Sequence, residues 1–122
     1  MKTKTVVVVG GSTGIGKELV TTFKNSGANV KSISRANCDI TKQEEIDLYF
    51  SNINQVDILI NNAAINYCKS IEEISLNEWN SVIDTNLTSY FYIIKKCLPK
   101  MDRGSKIVNV SSIAGRSKSW EL

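Results

Sequence analysis

The chain has 122 residues, of which 42% are hydrophobic and 22% charged, with a formal net charge of +3 at pH 7. This composition is typical of one folded domain, so we treat residues 1–122 as a single domain. No apolar run approaches the ~20 residues of a membrane span and no secretory signal is visible, so a cytoplasmic protein without membrane contact is expected. The absence of histidine and of a CxxC pair argues against a metal site and a disulfide scaffold.

Basic residues are concentrated towards the end of the chain, including Lys95, Lys96 and Lys100 in one predicted helix. A basic stripe is one signature of nucleic-acid binding. These lysines are more simply interpreted as the solvent-facing side of a helix, so no nucleic-acid partner is expected.

The first third of the chain alternates between strand and helix patterns. Thr5–Val9 is a run of β-branched residues, as expected of a parallel strand that is buried on both faces. After a glycine-rich turn, apolar residues recur at helical spacing over about Ile15–Asn25, and Ser26–Gly27 ends this helix. Asn29–Ser34 alternates in polarity and predicts a second strand.

Two further helices and two further strands follow. Thr41–Glu44 has the sequence of a capping box and predicts the start of a helix. Asp57–Ile60 predicts a third buried strand. Ser75–Glu78 is a second capping box and predicts a long helix that continues to about Leu98. Lys106–Val110 predicts the next strand.

Strands that alternate with helices predict an α/β fold of the Rossmann type, in which a parallel sheet has helices on both faces. One connection is unusually short. A parallel crossover needs about a dozen residues, but only Arg35–Asn37 separate the second strand from Cys38–Ile40. This connection cannot hold a helix, so any strand at Cys38–Ile40 must be rudimentary.

The glycine-rich turn between the first strand and the first helix carries the first chemical signal. Glycine lets a backbone turn sharply and approach a diphosphate, and the following helix presents free N–H groups to the anion. A tight turn without a ligand is the alternative, but three glycines in this context favour a nucleotide. The candidate cofactor-binding residues of the turn are Gly10, Ser12, Thr13, Gly14, Ile15 and Gly16.

The Gly-x3-Gly-x-Gly spacing of this turn resembles that of the short-chain dehydrogenase/reductase family. Asp57–Ala64 resembles the family's N-N-A-G segment after its fourth strand, with Ala64 in place of the glycine. The resemblance implies that Asn62, Ala63 and Ala64 contact the cofactor. Taken alone, Asn61 and Asn62 are also ordinary turn formers at the end of a strand.

Two further motifs contain the candidate catalytic residues. Trp79–Leu87 resembles the family's helix with its active-site Asn, here Asn86. Lys106–Gly115 resembles the strand that presents the catalytic Ser, here Ser112, and the resemblance ends there, after the family's fifth strand. Outside the family context, Asn86 is also a polar residue on a helix face, and Ser111–Ser112 is also a plain hydroxyl turn.

The residues after the second strand concern the choice of cofactor. In a Rossmann site an acidic residue there binds the ribose 2′-OH of NAD, whereas an arginine suits the 2′-phosphate of NADP. This chain has Ser34 and Arg35 at that point, and a guanidinium pairs bidentately with phosphate, so NADP(H) is favoured over NAD(H). A solvated loop arginine is the alternative. The resemblance further implies that Asp39 and Ile40 contact the adenine ring.

The resemblance implies reversible hydride transfer between a nicotinamide and the carbonyl or alcohol carbon of a small-molecule substrate. In the family, a Tyr exchanges the alcohol proton, a Lys four residues later lowers its pKa, the Ser orients the substrate oxygen and the Asn supports the proton path. The family's spacing from Ser112 places that Tyr beyond Leu122, so the chain is expected to be inactive alone. Tyr92 and Lys96 match Tyr-x3-Lys, but they precede Ser112 and are expected to form an ordinary helix face.

Two hypotheses from different classes follow. The first is an NADP(H)-preferring oxidoreductase, represented by its N-terminal half and active only with a downstream segment. The second is a catalytically dead nucleotide-binding or dimerising module that is complete at Leu122. A sheet ending with Lys106–Val110 has an unprotected apolar edge, which favours the first hypothesis. The resemblance also predicts a homo-oligomer with the helix at 76–98 in its interface. A more distant alternative is a parallel α/β module for another phosphate-containing ligand.

Overall fold

Strands and helices alternate along the chain, as predicted. The structure is a computed structural model, and it describes residues 3–116. The strands are β1 (Thr5–Val9), β2 (Asn29–Ile33), β3 (Ile58–Asn61) and β4 (Lys106–Asn109). The helices are α1 (Gly14–Asn25), α2 (Gln43–Ser51), α3 (Leu76–Ile83) and α4 (Ser89–Cys97), with a π-helical turn at Asp84–Thr88 and 3-10 turns at Leu98–Lys100 and Ile113–Gly115.

The four strands are parallel and lie in the order β2–β1–β3–β4. β1 therefore has a neighbour on both sides, and its Val7 is opposite Lys31 of β2 and Leu59 of β3. Val6–Val9 are completely buried, which is why the sequence of this strand is an unbroken run of valine. The prediction of a Rossmann-type parallel sheet is confirmed, and the strand order reverses between β1 and β3.

Helices cover both faces of the sheet, as predicted. On one face α1 packs its Val20 and Phe23 against Val6, Val8 and Ile60. α2 and α4 cover the other face, where the core is larger. Its buried residues are Val7, Val9, Ile33, Cys38, Ile46, Phe50, Ile53, Val56, Leu59, Ile93 and Cys97. The burial of apolar side chains on both faces stabilises strands of only four or five residues.

The connection after β2 is as short as predicted. No residue of Cys38–Ile40 belongs to a strand, and the next regular element is α2. Cys38 is only 2% exposed and belongs to the larger core, so burial anchors this segment in place of strand pairing. Consequently β1 is the single sheet neighbour of β2 within residues 3–116.

One of the two predicted capping boxes is present. Ser75 accepts the N–H of Glu78 at 3.1 Å, and the Glu78 side chain accepts the N–H of Ser75 at 3.1 Å, so this prediction is confirmed. The prediction at Thr41 is wrong, since α2 begins after Lys42 without a side-chain cap. Both the hydroxyl and the N–H of Thr41 instead donate to the Asp39 carboxylate, which holds Thr41 in a turn before the helix.

The long helix predicted from sequence is not a single α-helix. A π-helical turn at Asp84–Thr88 separates α3 from α4. Within it the N–H of Ser89 donates to the carbonyl oxygen of Asp84, five residues earlier. Such turns occur frequently at functional sites, and this one contains Asn86. The prediction of an uninterrupted helix is corrected accordingly.

β4 is the least buried strand and forms the second edge of the sheet. All four of its residues are exposed, including Ile107 at 37% and Val108 at 46%. The side chains of these two residues point to opposite faces of the sheet. Within residues 3–116, β3 is the only strand paired with β4, so the apolar edge predicted from the sequence is present in the described part of the chain.

Candidate functional site

A cleft opens at the carboxyl ends of β1, β2 and β3. Its volume is about 810 Å³, and it lies where the strand order reverses, the position at which open parallel sheets bind ligands. The predicted site residues that line it are Gly10, Ser12, Thr13, Ser34, Arg35, Asp39, Ile40, Asn62, Ala63 and Ala64. The fold thus brings three separate segments of the chain to one place.

The glycine turn is packed so closely that Gly10 and Gly16 have no room for a side chain. A Cβ on Gly10, whose φ is +86°, would lie 2.7 Å from the backbone of Ala63. A Cβ on Gly16 would overlap the carbonyl oxygen of Gly10. The Asn62 side chain donates to that same oxygen at 3.2 Å. These contacts hold the start of α1 against the ends of β1 and β3.

Gly14 has a different environment, because a Cβ added to it would meet nothing within 4 Å. Gly14 is the first residue of α1, and the preceding Thr13 makes no side-chain hydrogen bond to the helix. The N–H groups of the first turn therefore lack a side-chain cap, and with the helix dipole they favour an anion. Gly14, Ile15 and Gly16 do not line the cleft, and Gly14 is exposed next to the lining residue Thr13.

Arg35 and Asp39 bring opposite charges to the cleft. Arg35 is exposed and forms no ion pair within residues 3–116. Asp39 accepts the hydroxyl of Thr41 at 2.7 Å and its N–H at 3.0 Å. These two hydrogen bonds, followed by the positive charges of Lys42 and Arg35, hold the pKa of the Asp39 carboxyl below its usual value. The Asp39 carboxylate is thus engaged by Thr41, while the Arg35 guanidinium is free for a ligand.

Cys38 lines the cleft but is not a nucleophile. Burial, together with the carboxylates of Glu45 and Asp39, raises the pKa of its thiol to about 11. The thiol therefore stays protonated near neutral pH and contributes packing only. Residues 3–116 contain no group of His, Cys, Asp or Glu side chains suited to a metal ion. None of the helices in this part of the chain has the length and hydropathy for crossing a membrane.

Asn86 lies on the π-helical turn and is tied to the loop after β3. Its Oδ1 accepts the N–H of Ile65 at 2.8 Å, and its Nδ2 donates to the carbonyl oxygen of the same residue at 2.9 Å. Tyr90, on α4, donates its hydroxyl to the carbonyl oxygen of Ala63 at 2.8 Å. Asn86 therefore holds Ile65, which lines the cleft, although Asn86 is not itself part of the lining.

Ser112 also lies outside the cleft lining. It is exposed, and its Oγ accepts the N–H of Ala114 at 3.1 Å, which caps the turn at Ile113–Gly115. This is the hydroxyl turn that the sequence left open as an alternative. The structure thus places Asn86 beside the cleft and Ser112 in a capping position on an exposed turn.

The Tyr-x3-Lys pair of Tyr92 and Lys96 is part of a polar cluster away from the cleft. The Tyr92 hydroxyl donates to Asp47 at 2.7 Å, and the Lys96 ammonium pairs with the same carboxylate at 2.9 Å. The hydrogen bond to Asp47 raises the pKa of Tyr92, which opposes proton exchange near neutral pH. The cluster connects α2 to α4 and has a structural role.

Several lining residues were not among the predicted cofactor-binding residues. They are Val9, Ile33, Ala36, Cys38, Thr41, Ile65, Tyr67, Ser81 and Thr85. Ser81 and Thr85 are four residues apart, so one side of α3 and the π-helical turn faces the cleft. Their spacing is visible in the sequence, but polar residues at this spacing also occur on solvent-facing helix sides, so the pattern does not single them out.

Comparison with known proteins identifies the family. Residues 31–121 match the family described as short chain dehydrogenase. An uncharacterized oxidoreductase of Staphylococcus saprophyticus is 31% identical over 140 residues, which cover 94% of this chain and 57% of that protein. A 3-oxoacyl-[acyl-carrier-protein] reductase of Chlamydia trachomatis is 30% identical over 140 residues, which cover 92% of this chain and 56% of that protein. The chain thus spans a little over half the length of these curated relatives.

Solved structures share the fold. A ligand-free aldohexose dehydrogenase of Thermoplasma acidophilum has a TM-score of 0.89 at 32% identity, over 98% of this chain and 53% of that chain. RhlG of Pseudomonas aeruginosa, solved as an NADP complex, has a TM-score of 0.90 at 23% identity, over 99% of this chain and 59% of that chain. The second likeness supports the fold alone. With the family match and the similar relatives, these findings show that the chain belongs to the short chain dehydrogenase family.

Proposed function

We propose that this chain belongs to an oxidoreductase, an enzyme that transfers hydride between NADP(H) and the carbonyl or alcohol carbon of a small-molecule substrate. The observation that carries the proposal is the glycine turn, where Gly14 opens onto free space at the uncapped start of α1. This arrangement suits the diphosphate of a dinucleotide, and the adjoining cleft of about 810 Å³ has room for the rest of it. When bound, the nicotinamide supplies or accepts the hydride.

Arg35 supports NADP(H) over NAD(H). Its guanidinium follows β2, where NAD-binding sites have an acidic residue, and it is unpaired within residues 3–116. The next carboxylate along the chain, that of Asp39, is already hydrogen-bonded by Thr41. The related solved structures include a complex with NADP and one with NADH, so the preference rests on the residues of this chain.

Asn86 and Ser112 are proposed to serve the substrate side of the reaction. Asn86 fixes the backbone of Ile65 at the cleft, which keeps this wall in place. The Ser112 hydroxyl uses its oxygen to accept the Ala114 N–H, so its own hydrogen is still available to donate to a substrate oxygen. Such a donor stabilises negative charge on that oxygen during hydride transfer.

The chain by itself is proposed to bind the cofactor without turnover. Its one Tyr-x3-Lys pair, Tyr92 and Lys96, is bound to Asp47 away from the cleft, so it cannot exchange a proton with a substrate there. The free thiols of all three cysteines agree with a reducing compartment, and the cytoplasm is the proposed location.

A calorimetric titration with NADPH and NADH tests the proposed cofactor preference. The wild-type chain is expected to bind NADPH more tightly than NADH. Arg35→Asp should weaken NADPH binding by at least about tenfold, because a charged hydrogen-bond pair is replaced by repulsion. Lys31→Asp is the matched control. It makes the same change of charge, but Lys31 lies on β2 and does not line the cleft. Equal losses in both variants would remove the assignment of Arg35.

A second candidate is a nucleotide-binding module that dimerises without catalysis. Leu76, Trp79, Leu87 and Phe91 are between 54% and 74% exposed on the α3–α4 segment, and exposed large apolar side chains favour protein contacts. The oxidoreductase itself is also proposed to form a homo-oligomer through this segment. Joining the chain to the second half of the Staphylococcus relative separates the candidates: hydride transfer is restored under the first and stays absent under the second.

A further inference from the structure

The outer edge of β2 has no neighbouring strand within residues 3–116. On the inner side of β2, the carbonyl oxygen of Ile33 accepts the N–H of Gly10 at 2.8 Å. Because the peptide groups of successive residues point to opposite sides of a strand, the carbonyl of Ser32 and the N–H of Ser34 face the outer edge. An open edge of this kind offers its polar groups to water or to another chain.

The side chain of Asn37 covers the carboxyl end of this edge. Its Nδ2 donates to the carbonyl oxygen of Ser32 at 2.8 Å, and its Oδ1 accepts the N–H of Ser34 at 2.9 Å. One carboxamide therefore makes, with these two groups, the hydrogen bonds that a neighbouring strand would make with them. The backbone adds two bonds to the carbonyl oxygen of Ser34, from the N–H groups of Asn37 at 3.1 Å and Cys38 at 3.0 Å.

Arg35 lies within this clamped turn. Ser34, Arg35 and Ala36 line the cleft, whereas Asn37 does not. The hydrogen bonds of Asn37 and Cys38 fix the backbone on both sides of Arg35, and the exposed guanidinium has no ion pair within residues 3–116. An arginine on a fixed backbone loses less conformational entropy on binding than one on an open loop.

We propose that Asn37 is a positioning residue for the 2′-phosphate of NADP(H): by clamping the turn after β2, it presents Arg35 to the cleft. This inference rests on the proposed preference for NADP(H). A residue that only stabilised the fold would affect all nucleotides alike. A residue that positions Arg35 affects the nucleotides that carry a 2′-phosphate and spares the others.

The test uses two probes that differ by the 2′-phosphate alone, 2′,5′-ADP and 5′-AMP, titrated calorimetrically into the whole chain. Asn37→Ala is expected to weaken 2′,5′-ADP binding about five- to tenfold and to leave 5′-AMP binding within about twofold. Asn37→Ser should be intermediate, since its short hydroxyl can accept the Ser34 N–H without reaching Ser32. Asn52→Ala is the matched control: Asn52 also bonds a backbone carbonyl at the surface, that of Leu48 at 3.1 Å, and should affect neither probe.

The outcomes separate this inference from the proposed cofactor preference. If the wild-type chain binds both probes equally, the preference fails and the inference fails with it. If the wild type prefers 2′,5′-ADP but Asn37→Ala keeps that preference, only the role of Asn37 is overturned. Amide hydrogen exchange of the wild-type chain requires no variant. The Ser34 amide should be protected before any nucleotide is added, and exchange at the rate of an open amide would overturn the clamp.

Discussion

Gly14 and Gly16 are two residues apart in the glycine turn but have different roles. A Cβ on Gly16 overlaps the backbone carbonyl of Gly10, whereas one on Gly14 enters free space. Gly16→Ala should therefore lower the free energy of unfolding by about 1–3 kcal/mol. Gly14→Ala should cost about 1 kcal/mol, for its φ of +55°, and weaken NADPH binding by filling the phosphate space. Urea denaturation and NADPH titration measure both variants, and the same profile for the two would contradict these roles.

The carboxyl of Asp39 makes the stability of the chain depend on pH. Its hydrogen bonds from Thr41 hold its pKa in the folded protein below that in the unfolded chain. A carboxyl of this kind contributes its full stability above the unfolded pKa, about 4, and loses it as the pH falls through the folded pKa. Asp39→Asn should therefore destabilise the chain at pH 7, by less than about 1 kcal/mol because the group is largely solvated, and have less effect at pH 3. Urea denaturation at the two pH values tests this, and an effect of equal size at both would contradict it.

The candidate site residues differ in how well the sequence predicts their placement. The sequence predicts the segments around the cleft, because glycine and the strand ends have strong local signals. The sequence does not predict the hydrogen-bond partners of Asn86 and Tyr92, because Ile65 and Asp47 come close to them only through tertiary packing. Ser112 shows what the sequence alone does not predict. A hydroxyl that caps a turn and one that meets a substrate have the same local sequence.

At the scale of elements, Ser75 and Thr41 provide a matched comparison of two capping sequences. Ser75 caps α3 through the N–H of Glu78, while the Thr41 hydroxyl is bound to Asp39 and caps no helix. Ser75→Ala should cost about 1 kcal/mol of unfolding free energy. Thr41→Ala should cost about 0.5 kcal/mol, the contribution of one exposed hydrogen bond. Urea denaturation of the two variants gives the comparison, and a larger loss for Thr41→Ala would contradict the assignment of the caps.

The elements themselves are predictable where their patterns are strong. β1 is recognised from its valines because it is buried on both faces, and α1 from its apolar spacing and the glycine after it. The π-helical turn at Asp84–Thr88 is not predictable in this way, since it lies between α3 and α4 without a break and no start or stop signal marks it. It contains Asn86, whose two hydrogen bonds to Ile65 join the helix to a loop that is distant in sequence.

At the scale of the whole molecule, the two edges of the sheet differ in their protection against pairing with another strand. The carboxyl end of the β2 edge is covered by the Asn37 side chain, and the strand carries the exposed Lys31, a residue type that discourages edge pairing. The β4 edge has no such protection within residues 3–116, and both faces of the strand expose apolar side chains. Within residues 3–116, the β4 edge and the apolar α3–α4 segment are therefore the two surfaces at which self-association is expected.

Val108→Lys and Phe91→Lys separate these two modes of association. Val108 is 46% exposed on β4 and Phe91 is 63% exposed on α4, so both lysines can reach water without unfolding the chain. Val108→Lys should suppress slow aggregation because a charge on the strand disfavours edge pairing. Phe91→Lys should instead shift a reversible dimer towards monomer, because it places a charge in the apolar patch. Sedimentation and light scattering over time distinguish these effects. Aggregation that slows in Phe91→Lys and persists in Val108→Lys would assign association to the helices alone and show that the exposed β4 edge is inert.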